Sequence, residues 1–190
     1  MRTYSETAYK LIVGLATLFL FVVLSPSRAQ AATDIFVKIE GIGGESQDKQ
    51  HANWITALSF SDGLTLPASA ALTGGVSAGR ADFQNIKITK NVDSASIPLT
   101  SAVAAGRHIP TVTIEFRRTG ANQSAYFKIV LQGVLIASVT RQTDSSSMGL
   151  VETVSLNASM YQWTYIPIKA DGSSGPAITG GFDLRQNKPI

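Results

Sequence analysis

No cysteine occurs in the 190 residues, which excludes disulfide staples, cysteine-ligated zinc and thiol catalysis together. Stability must then come from packing. Histidine is nearly as scarce: His51 and His108 are the only two imidazoles, and no H-E-x-x-H pair exists. Glu45 with Asp48 lacks the spaced oxygens and the glycine of a calcium loop. There is no G-x-S-x-G elbow, and Gly41-Ile42-Gly43-Gly44 lacks the lysine and the helix that a phosphate cradle requires. Long apolar runs are missing too. The longest, residues 11–24, has 14 positions, short of the roughly 20 that a spanning helix needs. Internal repeats, low-complexity tracts and Pro-rich linkers are absent, so nothing divides the chain after its first thirty-odd residues.

That first segment reads as a signal peptide over residues 1–31 rather than as fold. Arg2 and Lys10 give a basic start, the apolar run follows, Pro26 breaks any helix, and Ala29-Gln30-Ala31 is an A-x-A cleavage signal. Cleavage after Ala31 is expected, with export to the periplasm or the outside and no stable membrane insertion afterwards. Arg2, Lys10 and Arg28 would leave with Glu6, so the formal charge of +3 falls to +1. A nearly neutral mature chain gives no basis for a nucleic-acid partner. The one adjacent basic pair, Arg117-Arg118, ends an expected strand and reads as solvated charge.

Residues 32–190 suit one domain of ordinary size. Ile35, Val37 and Ile39 alternate with Phe36, Lys38 and Glu40, the period of a half-buried strand. Residues 54–60 form a second, with Trp54, Leu58 and Phe60 expected on one face. Residues 62–80 carry small residues and Pro67, with Leu64, Leu66 and Leu72 as the large apolar side chains; a loop of this length is usually either functional or disordered. A strand is expected over residues 81–91, then a short helix over residues 96–106 with Ser96 as N-cap and Gly106 as stop, packed through Leu99, Ala102 and Val103. Residues 111–118 place Val112, Ile114 and Phe116 on one face and Thr111, Thr113, Glu115 and Arg117 on the other. Two long strands, residues 126–140 and 150–166, flank a polar run, 141–148, read as a hairpin loop. In the second of them the aromatic set Tyr161, Trp163 and Tyr165 takes odd positions while Val154, Leu156 and Ala158 take even ones, which implies a bend or a change of packing partner near Ser159. A closing strand follows around Gly180 to Leu184. Long strands with few helices predict a mainly β fold, an antiparallel barrel with one short flanking α-helix, since an open sheet would expose its edges.

The polar loop of residues 44–55 is the first place to look for chemistry. Ser46, Asp48 and His51 are the side-chain types of a catalytic triad, but known triads gather their members from separated elements. Glu40, Glu45, Glu115 and Glu152 are candidates for paired carboxylates, with nothing to select two of them. The structural alternative is a turn in which Glu45, Ser46 and Asp48 satisfy backbone groups and His51 is a fixed donor beside Trp54.

Taken in order, Gly44-Glu45-Ser46 with Asp48, His51 and Trp54-Ile55, then Ile88-Thr89-Lys90 with Asp93, Ser96 and Pro98, then Glu152-Thr153-Val154, and finally Gly181-Phe182-Asp183-Leu184 with Asn187, this series resembles the haemolysin-coregulated protein (Hcp) family, the tube subunits of type VI secretion. The likeness runs from about Asp34 to the C-terminus. It implies a barrel related to phage tail-tube proteins that assembles into hexameric rings, stacked into a hollow tube that carries small effectors behind a spike, with no enzymatic activity and no cofactor. It also implies that the stretch holding Leu64, Leu66, Pro67 and Leu72 touches a neighbouring subunit. The leader departs from that pattern, because tube subunits normally assemble in the cytoplasm. An exported ring- or tube-forming relative is therefore expected, with a carrier module or secreted effector on the same barrel as the alternative.

Overall fold

A computed structural model describes residues 33–70, 76–119, 124–144, 149–169 and 171–190. The expected signal peptide with Ala29 and Ala31, and also Leu72, lie outside the described residues. The elements in chain order are β1 (Thr33–Ile39), β2 (Ile55–Ala57), β3 (Ser59–Ser61), β4 (Leu64–Thr65), β5 (Ala68–Ala70), β6 (Val76–Ala78), β7 (Asp82–Phe83), β8 (Ile86–Asn91), α1 (Ser96–Ala104), β9 (His108–Arg118), β10 (Ala125–Asp144), β11 (Gly149–Tyr165), β12 (Ile178–Asp183) and β13 (Lys188–Pro189). Every strand pairing among them is antiparallel.

Non-local pairing turns these strands into a closed circuit. β1 pairs with β9, β9 with β10, β10 with β11, and β11 with β8. The return is made by residues 55–61. β2 lies against β1, with Ile35 opposite Ala57, and β3 lies against β8, with Ser59 opposite Thr89. Between them the Leu58 N–H donates to the Thr89 carbonyl at 2.7 Å. One short segment thus presents opposite edges to β1 and β8 and leaves neither exposed, as the barrel reading requires. It also corrects the expected face: Ile55 and Ala57 are buried while Leu58 is 52% exposed. The strand breaks at Leu58, so the alternation changes parity and Phe60 turns in to meet Phe116 edge to face at 4.9 Å.

The expected bend at Ser159 is present and crosses three strands. Core side chains pass from Ala158 to Tyr161 on β11, from Val134 to Leu131 on β10 and from Ile109 to Val112 on β9. The register places the change at Ser159, Gly133 and Pro110 respectively, side by side. Gly133 takes φ +58 there, a conformation that favours glycine. The Ser159 hydroxyl donates to the Gln132 carbonyl at 3.0 Å. A fold line across neighbouring strands lets a sheet of long strands curl round one core.

Four boundaries differ from expectation. The described residues of 62–70 and 76–84 pair as a β-ribbon where a loop is expected: β4 pairs β7, and β5 pairs β6, as two sheets of two strands apart from the main sheet. Small residues carry little hydrophobic period, so backbone pairing alone marks this hairpin. The expected strand over residues 81–91 is split between β7 and β8. β10 continues to Asp144, paired with Gly149, so residues 141–144 are strand and the connection is shorter than the polar run suggests. Helix α1 begins with Ala95, not Ser96, as its N-cap, and no side chain caps it. At its other end the Arg107 N–H reaches the Ala102 carbonyl and the Gly106 N–H that of Val103, with Gly106 at φ +58, the double bond of a Schellman stop. Leu99 and Ala102 are buried in the core and Val103 packs against it.

Candidate functional site

The loop between β1 and β2 is a crossed pair of backbone segments clamped on a histidine. The Gly44 N–H donates to the Asn53 carbonyl at 2.8 Å, the Ser46 N–H to Trp54 at 2.9 Å, and the Asn53 N–H back to Ser46 at 3.0 Å, with Asn53 at φ 62. Asp48 caps the turn within it, its Oδ1 accepting from the N–H groups of Gln50 and His51. That folding buries Ser46 and His51.

His51 faces a carboxylate on each side. Its Nδ1 is 2.8 Å from Asp48 Oδ1 and its Nε2 is 2.9 Å from Glu115 Oε2 on β9. The ring stacks on Phe36 at 4.1 Å with 3° between planes and meets Trp54 edge-on at 4.8 Å. Around it the charges form a chain. Arg117 donates to Asp48 at 2.6 Å and to Asp34 at 3.1 Å while its guanidinium lies over Phe36, and Lys128 on β10 pairs with Glu115 at 3.1 Å. Arg117 is 6% exposed, so the reading of both arginines as solvated charge is corrected for Arg117. It shares the Glu115 face of β9, where Asp48 of the loop and Asp34 of β1 meet it and Phe36 lies beneath it. Arg118 alone is exposed, lying over Tyr126.

These contacts set the ionisation of the site. The hydrogen bond from His51 holds the Asp48 carboxyl far below the usual aspartate range against its burial, and Arg117 reinforces this. Burial pushes Glu115 up, but hydrogen bonds from His51 and Lys128 outweigh it, and the net direction is down. A carboxyl depressed in the fold contributes stability above its ordinary value and loses it as pH falls through the depressed one. The urea midpoint is therefore expected to hold from pH 7 to pH 5 as far as these groups act, and to drop below the ordinary glutamate value of 4.5. Glu115→Gln should flatten that drop; an unchanged acid profile in this variant would count against the clasp.

The arrangement does not build a triad. The Ser46 hydroxyl accepts the Asp48 N–H at 3.3 Å, and both His51 nitrogens are spent on carboxylates, leaving neither to take a proton from serine. The four glutamates do not converge either. Glu115 serves His51, Glu45 accepts the Ser94 N–H at 2.8 Å, Glu40 is exposed, and Glu152 is fully buried elsewhere. Among the described residues no group of three or more His, Asp or Glu side chains is placed to hold a metal ion.

Sequence reasoning did not bring the second ionic cluster together, although Lys90, Asp93, Ser96 and Glu152 belong to the motif series. Lys90 and Glu152 are register partners across β8 and β11, both wholly buried on the inward face that also carries Ile86, Ile88, Val154 and Leu156. Lys90 Nζ donates to Glu152 Oε1 at 2.9 Å, Asp93 Oδ1 at 2.6 Å and the Asn91 carbonyl at 2.8 Å. The Ser96 hydroxyl donates to Glu152 Oε1 at 2.6 Å and accepts the Asp93 N–H at 3.0 Å. Arg141 Nε stands 2.9 Å from Glu152 Oε2, close enough for ion pairing but not aligned as a hydrogen bond, and its NH2 donates to the Ser96 carbonyl and Thr100. Burial pushes Glu152 up, and bonds from Ser96 and Lys90 with the charge of Arg141 bring it below its ordinary value. The cluster fastens α1 to three strands. Glu45, through Ser94, ties this cluster to the His51 loop. In the last motif Asp183 is buried and its Oδ1 accepts the N–H groups of Arg185 and Gln186, shaping the turn before β13.

A β-barrel circuit whose polar motifs are ionic braces, with a ribbon apart from the main sheet, has the architecture of a structural assembly module. A family model described as "Type VI secretion system effector, Hcp" matches residues 36–165, and the chain belongs to that family. It is 37% identical over 158 residues to Protein hcp1 of Pseudomonas aeruginosa, spanning 82% of this chain and 98% of that relative. Among solved structures, a type six secretion system protein superposes with a TM-score of 0.79 at 28% identity, over 84% of this chain and 100% of the other. Hcp1 from Salmonella typhimurium gives 0.69 at 31% identity, over 84% and 99%. Type VI secretion is thus the setting of this fold, and its family is one of secreted, structural, tube-forming proteins.

Proposed function

We propose that the protein is a non-enzymatic subunit whose copies close into rings, six to a ring, and stack into a hollow tube able to carry small effector proteins behind a spike. The observation that carries the assembly reading is the ribbon. Leu64 and Leu66 are each 56% exposed, and β4 to β7 pair with no strand of the main sheet, so more than half of each leucine is left open to solvent on its own copy. Exposed aliphatic side chains on a paired strand are suited to a neighbouring copy. In this reading Leu64, Leu66 and Pro67, with Leu72, form the contact between subunits, and the loop carrying Gly44, Glu45, Ser46, Asp48, His51 and Trp54 braces the barrel that presents it. Residues 1–31 act as an export signal cut after Ala31, leaving residues 32–190 as the assembling domain, in the periplasm or outside the cell.

Electron microscopy and mass measurement of the purified protein across a concentration series are expected to show rings. Changing Leu64 and Leu66 to serine should raise the concentration needed for them at least about tenfold, the equivalent of about 1.4 kcal/mol, with circular dichroism unchanged. A protein that stays monomeric throughout would remove the assembly reading. N-terminal sequencing of the same sample checks the cut at Ala31 separately.

A further inference from the structure

A cavity of about 290 Å³ lies between the base of the ribbon and the barrel wall, lined by Asp62, Gly63, Leu64, Phe83, Gln84, Ile86, Tyr161 and Trp163. Its aromatic side is a continuous pack: Phe83 is 4.9 Å from Tyr161 and 6.4 Å from Trp163, and Tyr161 is 5.9 Å from Trp163. The rings are within 37° of parallel. Leu64 and Ile86 supply aliphatic wall. The polar part is acceptor-rich. Asp62 is exposed and makes no hydrogen bond or ion pair with any described residue, unlike Asp48, Asp93 and Asp183, each of which is bonded. The Gln84 side chain lies over Gly63, with Oε1 only 2.6 Å from where a Cβ would sit. Burial raises the Tyr161 phenol above its ordinary value of 10, and the Asp62 charge adds to this. The negative field of Asp62 therefore reaches into the aromatic wall.

The chain's own nearby cations leave this carboxylate alone. Arg80 spends its guanidinium on the Leu184 carbonyl at 2.8 Å, and Lys87, opposite Ser61 on the neighbouring strand, makes no ion pair among the described residues. An apolar channel with stacked rings and an unpaired carboxylate has the chemistry of a site for a long basic side chain. The methylene stem lies along aliphatic and aromatic surface, and the charged head meets the carboxylate beside the π faces. We infer that the cavity receives a lysine or arginine side chain presented by another polypeptide, its head at Asp62 and the Gln84 carbonyl and its stem against Leu64, Tyr161 and Trp163. This does not depend on ring formation, because the recognition is of one side chain.

The test uses N-acetyl-lysine amide and its uncharged counterpart N-acetyl-norleucine amide, titrated against the purified protein while the indole N–H resonances of its two tryptophans are followed. Trp54→Phe assigns them. The lysine compound is expected to shift the Trp163 resonance saturably and to bind at least about fivefold more tightly than the norleucine compound, a charge-and-π preference. Asp62→Asn, at an exposed position where folding is not at stake, should remove that preference, and added salt should weaken it. Equal binding of the two compounds would make the cavity a plain apolar hole and overturn the inference. So would an unmoved Trp163 resonance at about 50 mM lysine compound, beyond any affinity of use, or an unchanged preference in Asp62→Asn.

Discussion

Lys90→Ala is expected to cost the fold about 3–5 kcal/mol, far more than the loss of a surface lysine. Lys90 and Glu152 are both at 0% exposure, so removing the ammonium leaves a carboxylate inside the barrel with Ser96 and a poorly aligned Arg141 for company. The pH dependence separates this from simple loss of packing. In the intact protein Glu152 is held below its ordinary value, so the stability it contributes is present above pH 4.5 and fades as pH falls. Without Lys90, burial is expected to outweigh the bonds that remain and to push the carboxyl above its ordinary value. Such a group favours folding when protonated, so the gap between variant and parent narrows on acidification. Urea unfolding at pH 7 and pH 5 measures both effects. The double variant Lys90→Met, Glu152→Leu should recover most of the loss, since an apolar pair of similar volume has no charge to satisfy. A loss under about 1 kcal/mol for Lys90→Ala, well below the range for a broken buried pair, would show that the barrel relaxes to admit water there.

Local alternation is what made much of this fold legible. Residues 111–116 and the switch from Ala158 to Tyr161 carry their burial in their own spacing, and β9 and β11 agree with it, whereas Arg117 and Tyr165 do not follow it. Where an element's character depends on what lies across from it, spacing was silent. Leu58 is apolar and in phase with Trp54 and Phe60, yet the segment must serve β1 with one edge and β8 with the other, and the break that allows this turns Leu58 out. Lys90 and Glu152 stand in phase with neighbouring core residues, a hint that charge sits inside, but only the β8–β11 register shows that they face each other. Ser96 looked like a cap because it precedes an apolar turn. Its hydroxyl is instead drawn to Glu152, and the cap falls to Ala95. The loop around His51 was readable as a set of residue types and not as a role. Glu115 and Arg117, 64 and 69 positions from their partners, decide that its imidazole is a brace.

The glycine that opens this loop makes the sharpest demand on the backbone. Gly44→Ala is expected to cost about 3 kcal/mol, the upper end for a forced steric intrusion. A Cβ at Gly44 would stand 2.5 Å from the Trp54 carbonyl oxygen and 2.7 Å from both the nitrogen and Cα of Ile55. All three are backbone atoms, and Ile55 is fully buried in β2, so neither side can give way without opening the bonds from Gly44 to Asn53 and from Ser46 to Trp54. The next residue back is the control. At Gly43 the nearest atom to an added Cβ is the Asn53 carbonyl oxygen at 3.9 Å, an ordinary contact, so Gly43→Ala should cost no more than a few tenths of a kcal/mol, the scale of a surface substitution. Urea unfolding followed by tryptophan fluorescence reads both, since Trp54 immediately precedes the strand that would be displaced. Equal costs at the two positions would mean that backbone freedom, and not the crossing of two chains, is why glycine stands there. Unequal costs would tie the glycine to that crossing, whose opening also carries Trp54 away from its edge contact with His51 at 4.8 Å.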